Sequence, residues 1–179
     1  MDGVIVTISG LPGSGTSTAA RLLSVKTGMK LENSGDVFRN LASEHGVSLE
    51  EFGDLAEGDP THDRELDARM LSLAVPGTIL EGRLTGHLLH REEIPSFKVW
   101  IEAPLEVRIR RIAGREGIGE DELRDRVIKR ERSEYKRYRE YYDIDLGDSS
   151  IYDMVISSER NSPEEIVERI MEAASLEVR

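Results

Sequence analysis

The sequence predicts an α/β fold: a three-layer α/β/α domain around a five-stranded parallel sheet. Two observations carry that prediction. Short β-rich runs alternate with helical stretches along the 179 residues, and strands separated by helices pair in parallel with both sheet faces covered. The glycine-rich segment Gly10-Leu11-Pro12-Gly13-Ser14-Gly15-Thr16-Ser17 lies directly between the first strand and the first helix, with the spacing of a phosphate-binding loop, or P-loop.

Each element has a local reason. Residues 4–8 are a continuous β-rich run, as a buried parallel strand requires. A helix is expected over 16–27, with Ala19, Ala20, Leu22, Leu23 and Val25 as its apolar set and Gly28 as its C-terminal stop. Strand two falls at 30–32. Helices follow at 35–45, 49–57 and 60–73, where Gly46 closes the first and Pro60 suits the first turn of the third. Strand three is expected at 78–80 and strand four at 97–101. Pro104 opens a helix to about 115; Gly117 and Gly119 break it before a long helix at about 122–141. A polar loop at 143–150 leads to strand five at 153–156. Ser162-Pro163-Glu164-Glu165 then starts a final helix with a cap, a proline and first-turn acids. Three helices between strands two and three exceed a crossover and form an insertion. The helix pair after strand four forms another.

Composition narrows the function. The net charge of −11 argues against a nucleic-acid-binding domain, which needs a basic face. The chain has no cysteine, hence no disulfide framework and no thiolate metal site. No apolar run reaches the roughly eighteen residues of a membrane span, and no basic leader precedes residues 4–8, so a cytoplasmic protein without a signal peptide is expected. Ten arginines crowd into 108–139, interleaved with acids. That segment fits a small anionic ligand better than a long polyanion, the alternative being a solvated helix laced with ion pairs.

In the phosphate loop the glycines let backbone N–H groups wrap an anion, and the helix start adds a favourable dipole. The loop spans Gly10 to Thr18, and Ser17 offers a hydroxyl for Mg²⁺. The usual lysine is replaced by Thr16. Positive charge must then come from elsewhere, and the arginines after strand four are the candidates. Ser34, Gly35, Asp36 and Arg39 open the helix after strand two, with Arg39 one turn from Asp36. Glu81 and Arg83 follow strand three, where a carboxylate beside the P-loop strand can hold Mg²⁺ or its waters. His87 and His90 lack a third ligand. The tyrosines at 135, 138, 141 and 142 and Trp100 read as packing residues.

Together these segments resemble the cytidylate kinase family, most closely its archaeal branch, which also lacks the loop lysine. The matching stretches are 8–18, 34–39, 80–86, 111–116, 129–138 and 150–157. The resemblance implies one kinase domain over 1–179. Its core is 1–34, 76–112 and 150–179, its nucleoside-monophosphate-binding insertion about 35–75, and its lid about 113–140. It implies ATP, Mg²⁺ and CMP or dCMP as small-molecule partners, with no nucleic acid or membrane and a monomeric state. By position, Gly10 to Thr18 hold the ATP phosphates. Ser34, Asp36, Arg39 and Arg83 serve the CMP side. Arg111 and Arg115 approach ATP, and Arg130 and Arg137 reach the transferring phosphoryl from the far arm of the lid. Glu131 orients Arg130 or reads the base. Adenylate kinase is disfavoured because Glu81-Gly82-Arg83-Leu84 follows strand three and glutamine is absent. A small P-loop kinase for UMP or AMP stays open, as does a catalytically silent nucleotide-binding module.

Overall fold

The computed structural model describes residues 3–178, so residues 1, 2 and 179 of the expected domain lie outside the described residues. Five strands form one sheet: β1 (Val6–Ser9), β2 (Lys30–Asn33), β3 (Thr78–Glu81), β4 (Phe97–Glu102) and β5 (Met154–Ser157). Their order is β2-β3-β1-β4-β5, and every pairing is parallel. The central strands β1 and β3 are buried at all positions, which is why their sequences are continuous rather than alternating.

Helices α1 (Thr16–Thr27) and α8 (Pro163–Ala173) cover one face. Leu23, Ile166 and Ile170 pack there against Val6, Ile8, Ile79 and Ile101. Ser162 and Glu165 form a reciprocal cap at the start of α8, with Pro163 in the first turn. The other face carries α2 (Ser34–Glu44), α3 (Leu49–Gly58), α4 (Pro60–Ser72), α5 (Thr85–Arg91) and the end of α7 (Glu120–Tyr142). Their shared core includes Leu41, Phe52, Met70, Leu80, Leu88 and Tyr142. A smaller core of Ile109, Ile112, Leu123 and Val127 joins α6 (Leu105–Glu116) to the first half of α7. Among the described residues no helix is long and apolar enough to cross a membrane.

Among the described residues the element pattern matches the sequence reading in all five strands and seven of the eight helices. The exception is α5, for which the sequence predicts no element. It has only seven residues and its N-cap, Leu84, makes no side-chain cap. It forms because its face is buried, with Leu88 and Leu89 in the core, so packing overrides the missing local signal. Trp100 is half-buried beside Tyr152 rather than deep in the core.

The chain leaves β1 toward β2 and β3 on one side and later crosses to β4 and β5 on the other. Beyond the carboxyl end of β1 the connections therefore diverge and leave a crevice, where open α/β sheets bind ligands. Phe52 anchors the helical insertion; it is fully buried and its ring meets Phe38 edge-on at 4.9 Å. Phe52→Ala is expected to cost about 3–5 kcal/mol in urea unfolding followed by circular dichroism; a loss below about 1 kcal/mol would show that the insertion is not packed around this ring.

Candidate active site

The loop after β1 is shaped by two glycines with positive φ, Gly13 at 82° and Gly15 at 97°. A Cβ on Gly13 would also lie 2.7 Å from the carbonyl oxygen of Arg108, so only glycine fits. Gly15 caps α1 without a side-chain bond, which leaves the helix's first N–H groups available to an anion. The outer side of the loop is held by Arg111. Its Nη1 donates to the Gly13 carbonyl at 3.2 Å and to Ser158 Oγ at 2.8 Å. Ser158 Oγ donates in turn to the Ser14 carbonyl at 2.6 Å.

Beneath the loop, Glu81 ends β3 and is only 7% exposed. Thr16 Oγ1 donates to its carboxylate at 2.6 Å and Ser17 Oγ at 3.3 Å. Asn33 Nδ2 donates to the other oxygen. Burial raises the Glu81 carboxyl, while the two hydroxyls, Arg21 and Arg83 oppose that rise. Thr16 therefore gives up the lysine's charge and instead supplies a hydrogen bond to a buried acid.

A cavity of about 560 Å³ opens beyond the ends of β2 and β3. Four arginines from three elements line it: Arg39 on α2, Arg83 after β3, and Arg130 and Arg137 on α7. Glu134, 5% exposed, pairs with both Arg83 and Arg130, the latter at 3.0 Å. Burial lowers the Arg83 guanidinium to about 10. Two acids on α4, Asp63 and Asp67, face the same space with Tyr138 and Tyr142. Burial raises Asp63 against the pull of Arg137, and raises Asp67 to about 6 against the Tyr142 hydroxyl.

The expected site residues fall in several places. Gly10 to Ser17, Glu81 and Arg111 gather around the loop. Ser34, Arg39, Arg83 and Arg130 line the cavity. Asp36 pairs with Arg39. Arg137 lines the cavity too, and its Nη1 donates to the Ala56 carbonyl and pairs with Asp63, both at 3.3 Å. Arg115 stands exposed and pairs with Glu116 at 3.2 Å. Glu131 neither orients Arg130 nor lines the cavity. Its carboxylate is taken by Arg108, because successive arginines and glutamates on α7 point to different faces. The residues that sequence reasoning missed are Asn33, Asp63, Asp67, Arg108, Glu134 and Ser158. Each is an ordinary polar residue in its local pattern, and only the i, i+4 spacing of Asp63 and Asp67 hinted at a shared face.

The histidines sort differently from their sequence pairing. His87 is buried edge-on to Tyr152 with ring centroids 5.7 Å apart, while His90 is exposed. Among the described residues, His45, His62 and Glu65 stand together at the rim of the insertion. Both of these histidine rings pack on Phe52, and His45 Nε2 lies 3.0 Å from Glu65, so the group braces α2 against α4.

Asp67 gives the site a pH signature. Its carboxyl moves from 3.8 to about 6 on folding, so the folded protein keeps the proton to higher pH than the unfolded chain. The associated stability is complete below the unfolded value and is lost as pH rises through the folded value, on the order of 3 kcal/mol in all. Asp67→Asn is expected to remove that decline in urea unfolding between pH 4 and pH 7. Parallel profiles for variant and wild type would contradict the assignment.

Comparison with known proteins identifies the family. The profile of the cytidylate kinase-like family matches residues 5–160. A cytidylate kinase from Methanococcoides burtonii is 48% identical over 159 residues, covering 88% of this chain and 89% of that one. A cytidylate kinase from Methanopyrus kandleri is 46% identical over 170 residues, covering 90% and 88%. Among solved structures, a shikimate kinase from Bacteroides thetaiotaomicron superposes with a TM-score of 0.66 over 97% of this chain and 99% of its own. At 16% identity that likeness speaks to the P-loop kinase fold alone. With a matched profile over most of its length and two relatives near half identity, the chain belongs to the cytidylate kinase-like family.

Proposed function

We propose that this enzyme transfers the γ-phosphoryl group of ATP to CMP and dCMP, giving ADP and the corresponding diphosphate. The observation that carries this reading is a pair of anion sites joined at one carboxylate. Glu81 accepts from Thr16 and Ser17 at the start of α1 and from Asn33 at the end of β2, and the arginine-lined cavity begins at the next residues, Ser34 and Gly82. A nucleotide sensor needs the first site only; a monophosphate kinase needs both.

The loop N–H groups from Gly10 to Thr18 hold the ATP phosphates, with Arg111 fixed against the loop to supply the charge that Thr16 lacks. Arg39 and Arg83 hold the CMP phosphate. Arg130 and Arg137 reach the transferring group from α7, and Arg137 also pairs with Asp63 of α4. The insertion at about 35–75 is the acceptor-binding segment and the arm at about 113–140 the lid. Lid closure carries Arg115 toward ATP and excludes water. Catalysis is positioning plus charge neutralisation around an in-line transfer. The base faces the α4 acids: a carboxylate accepts from the exocyclic amino group of cytosine and repels the carbonyl that uracil carries there. The Ser17 hydroxyl and Glu81 carboxylate are hard oxygen donors and fit Mg²⁺ with its waters. Mg²⁺ bound there would draw charge from the β- and γ-phosphate oxygens. The protein works as a monomer in the cytoplasm, on small nucleotides only.

An acceptor screen tests this directly. Transfer to CMP is expected to exceed transfer to AMP, GMP or dTMP by at least about tenfold, which is 1.4 kcal/mol of discrimination. Robust AMP phosphorylation without CMP activity would overturn it. Arg39→Ala is expected to cost about 1.5–3 kcal/mol in kcat/KM for CMP with ATP affinity nearly unchanged. An equal fall in ATP affinity, seen by titration calorimetry, would mean the two phosphate sites are wrongly divided.

A further inference from the structure

We infer that Glu131 acts on the donor side: through Arg108 it fixes the Pro12 carbonyl and so ties the phosphate loop to α7. This rests on the kinase reading above. Arg108 lies in the first turn of α6 and is only 4% exposed. Its Nε donates to the Ala103 carbonyl at 3.2 Å. Its Nη1 donates to the Pro12 carbonyl at 3.2 Å and also meets Glu131 Oε1. Its Nη2 reaches Glu131 Oε2 at 3.3 Å. One guanidinium thus joins three elements: the loop, the end of β4 and α7. Its backbone touches the loop as well, since the space where Gly13 would carry a Cβ is filled by Arg108.

The pairing is buried, and a buried guanidinium needs its counter-charge to stay in place. Among the described residues Glu131 is the carboxylate that Arg108 pairs with. One turn further along α7, Glu134 pairs with Arg83 and Arg130 at the cavity. Helix α7 is therefore fastened to the donor loop by Glu131 and to the acceptor cavity by Glu134. Glu131 is a positioning residue: it touches the loop only through Arg108, and the nucleotide it governs is ATP.

The test compares wild type with Glu131→Gln, which keeps an oxygen acceptor but removes the charge, and with Arg108→Lys, which keeps the charge but loses the planar fork. KM for ATP is measured against KM for CMP, and ADP affinity is titrated by calorimetry with no acceptor present. Either substitution is expected to raise KM for ATP and Kd for ADP about tenfold, with KM for CMP changed less than about twofold. The double variant is expected to match the singles rather than their product, because both break one link. Should one variant fold poorly in melting experiments, the other carries the comparison. A rise in KM for CMP equal to or above that for ATP would overturn the inference, as would lowered thermal stability with both nucleotide constants unchanged. Failure of the kinase reading shows separately, as wild type that moves no phosphate to any monophosphate; the ADP titration still decides the Arg108–Glu131 link.

Discussion

The buried carboxylate of Glu81 is the constraint on which the rest of the site depends. In the sheet, Glu81 stands in register with Ile8 of β1 on one side and Asn33 of β2 on the other. A carboxylate there must be satisfied or it costs several kcal/mol, on the order of 2–7 for an unpaired polar group. Thr16 and Ser17 satisfy it from the donor loop, and Asn33 from the acceptor side. Asn33 also caps α2 by accepting from the Asp36 N–H at 3.1 Å. One side chain therefore sets the start of α1 and the start of α2, the two helices that flank the candidate site. The threonine in the lysine position belongs to this arrangement: it anchors the loop from below, while Arg111 and Ser158 hold it from outside.

Charge is the second organising theme. The arginine-dense stretch divides between the two readings that its composition allowed. Arg124 and Arg139 make exposed pairs with Glu106 and Asp145, which contribute little. Arg108, Arg130 and Arg137 turn inward to the loop and the cavity. The inward ones are each held by a carboxylate, so their guanidinium groups are oriented before any ligand binds. That preorganisation suits an enzyme whose chemistry is mostly electrostatic positioning.

Much of this was legible in the sequence. The phosphate loop could be read because strand, turn and helix are consecutive and each glycine has a local task. The strands could be read because central parallel strands are apolar throughout. Other parts were not local. Helix α5 owes its existence to the core that Leu88 and Leu89 join, and its own residues carry no cap. Glu131 and Glu134 are three residues apart on a helix where arginine and glutamate recur on every face, so sequence alone could not say which acid meets which arginine. Asp63 and Asp67 look like an ordinary solvated face until α4 folds over the cavity. Ser158 follows β5 as an unremarkable polar residue, and only the sheet order brings it beside the phosphate loop.

The central claim is that a phosphate loop without its lysine is a working donor site, with Arg111 supplying the missing charge. Single-turnover transfer from radiolabelled ATP to CMP measures this without interference from product release. The account predicts transfer by the wild type and a slowing of about a hundredfold or more in Arg111→Ala, below the upper scale of about 10³–10⁵ set by arginine fingers. Wild-type protein that binds ATP and transfers phosphate to no monophosphate would contradict it, and so would an Arg111→Ala variant that transfers at the wild-type rate.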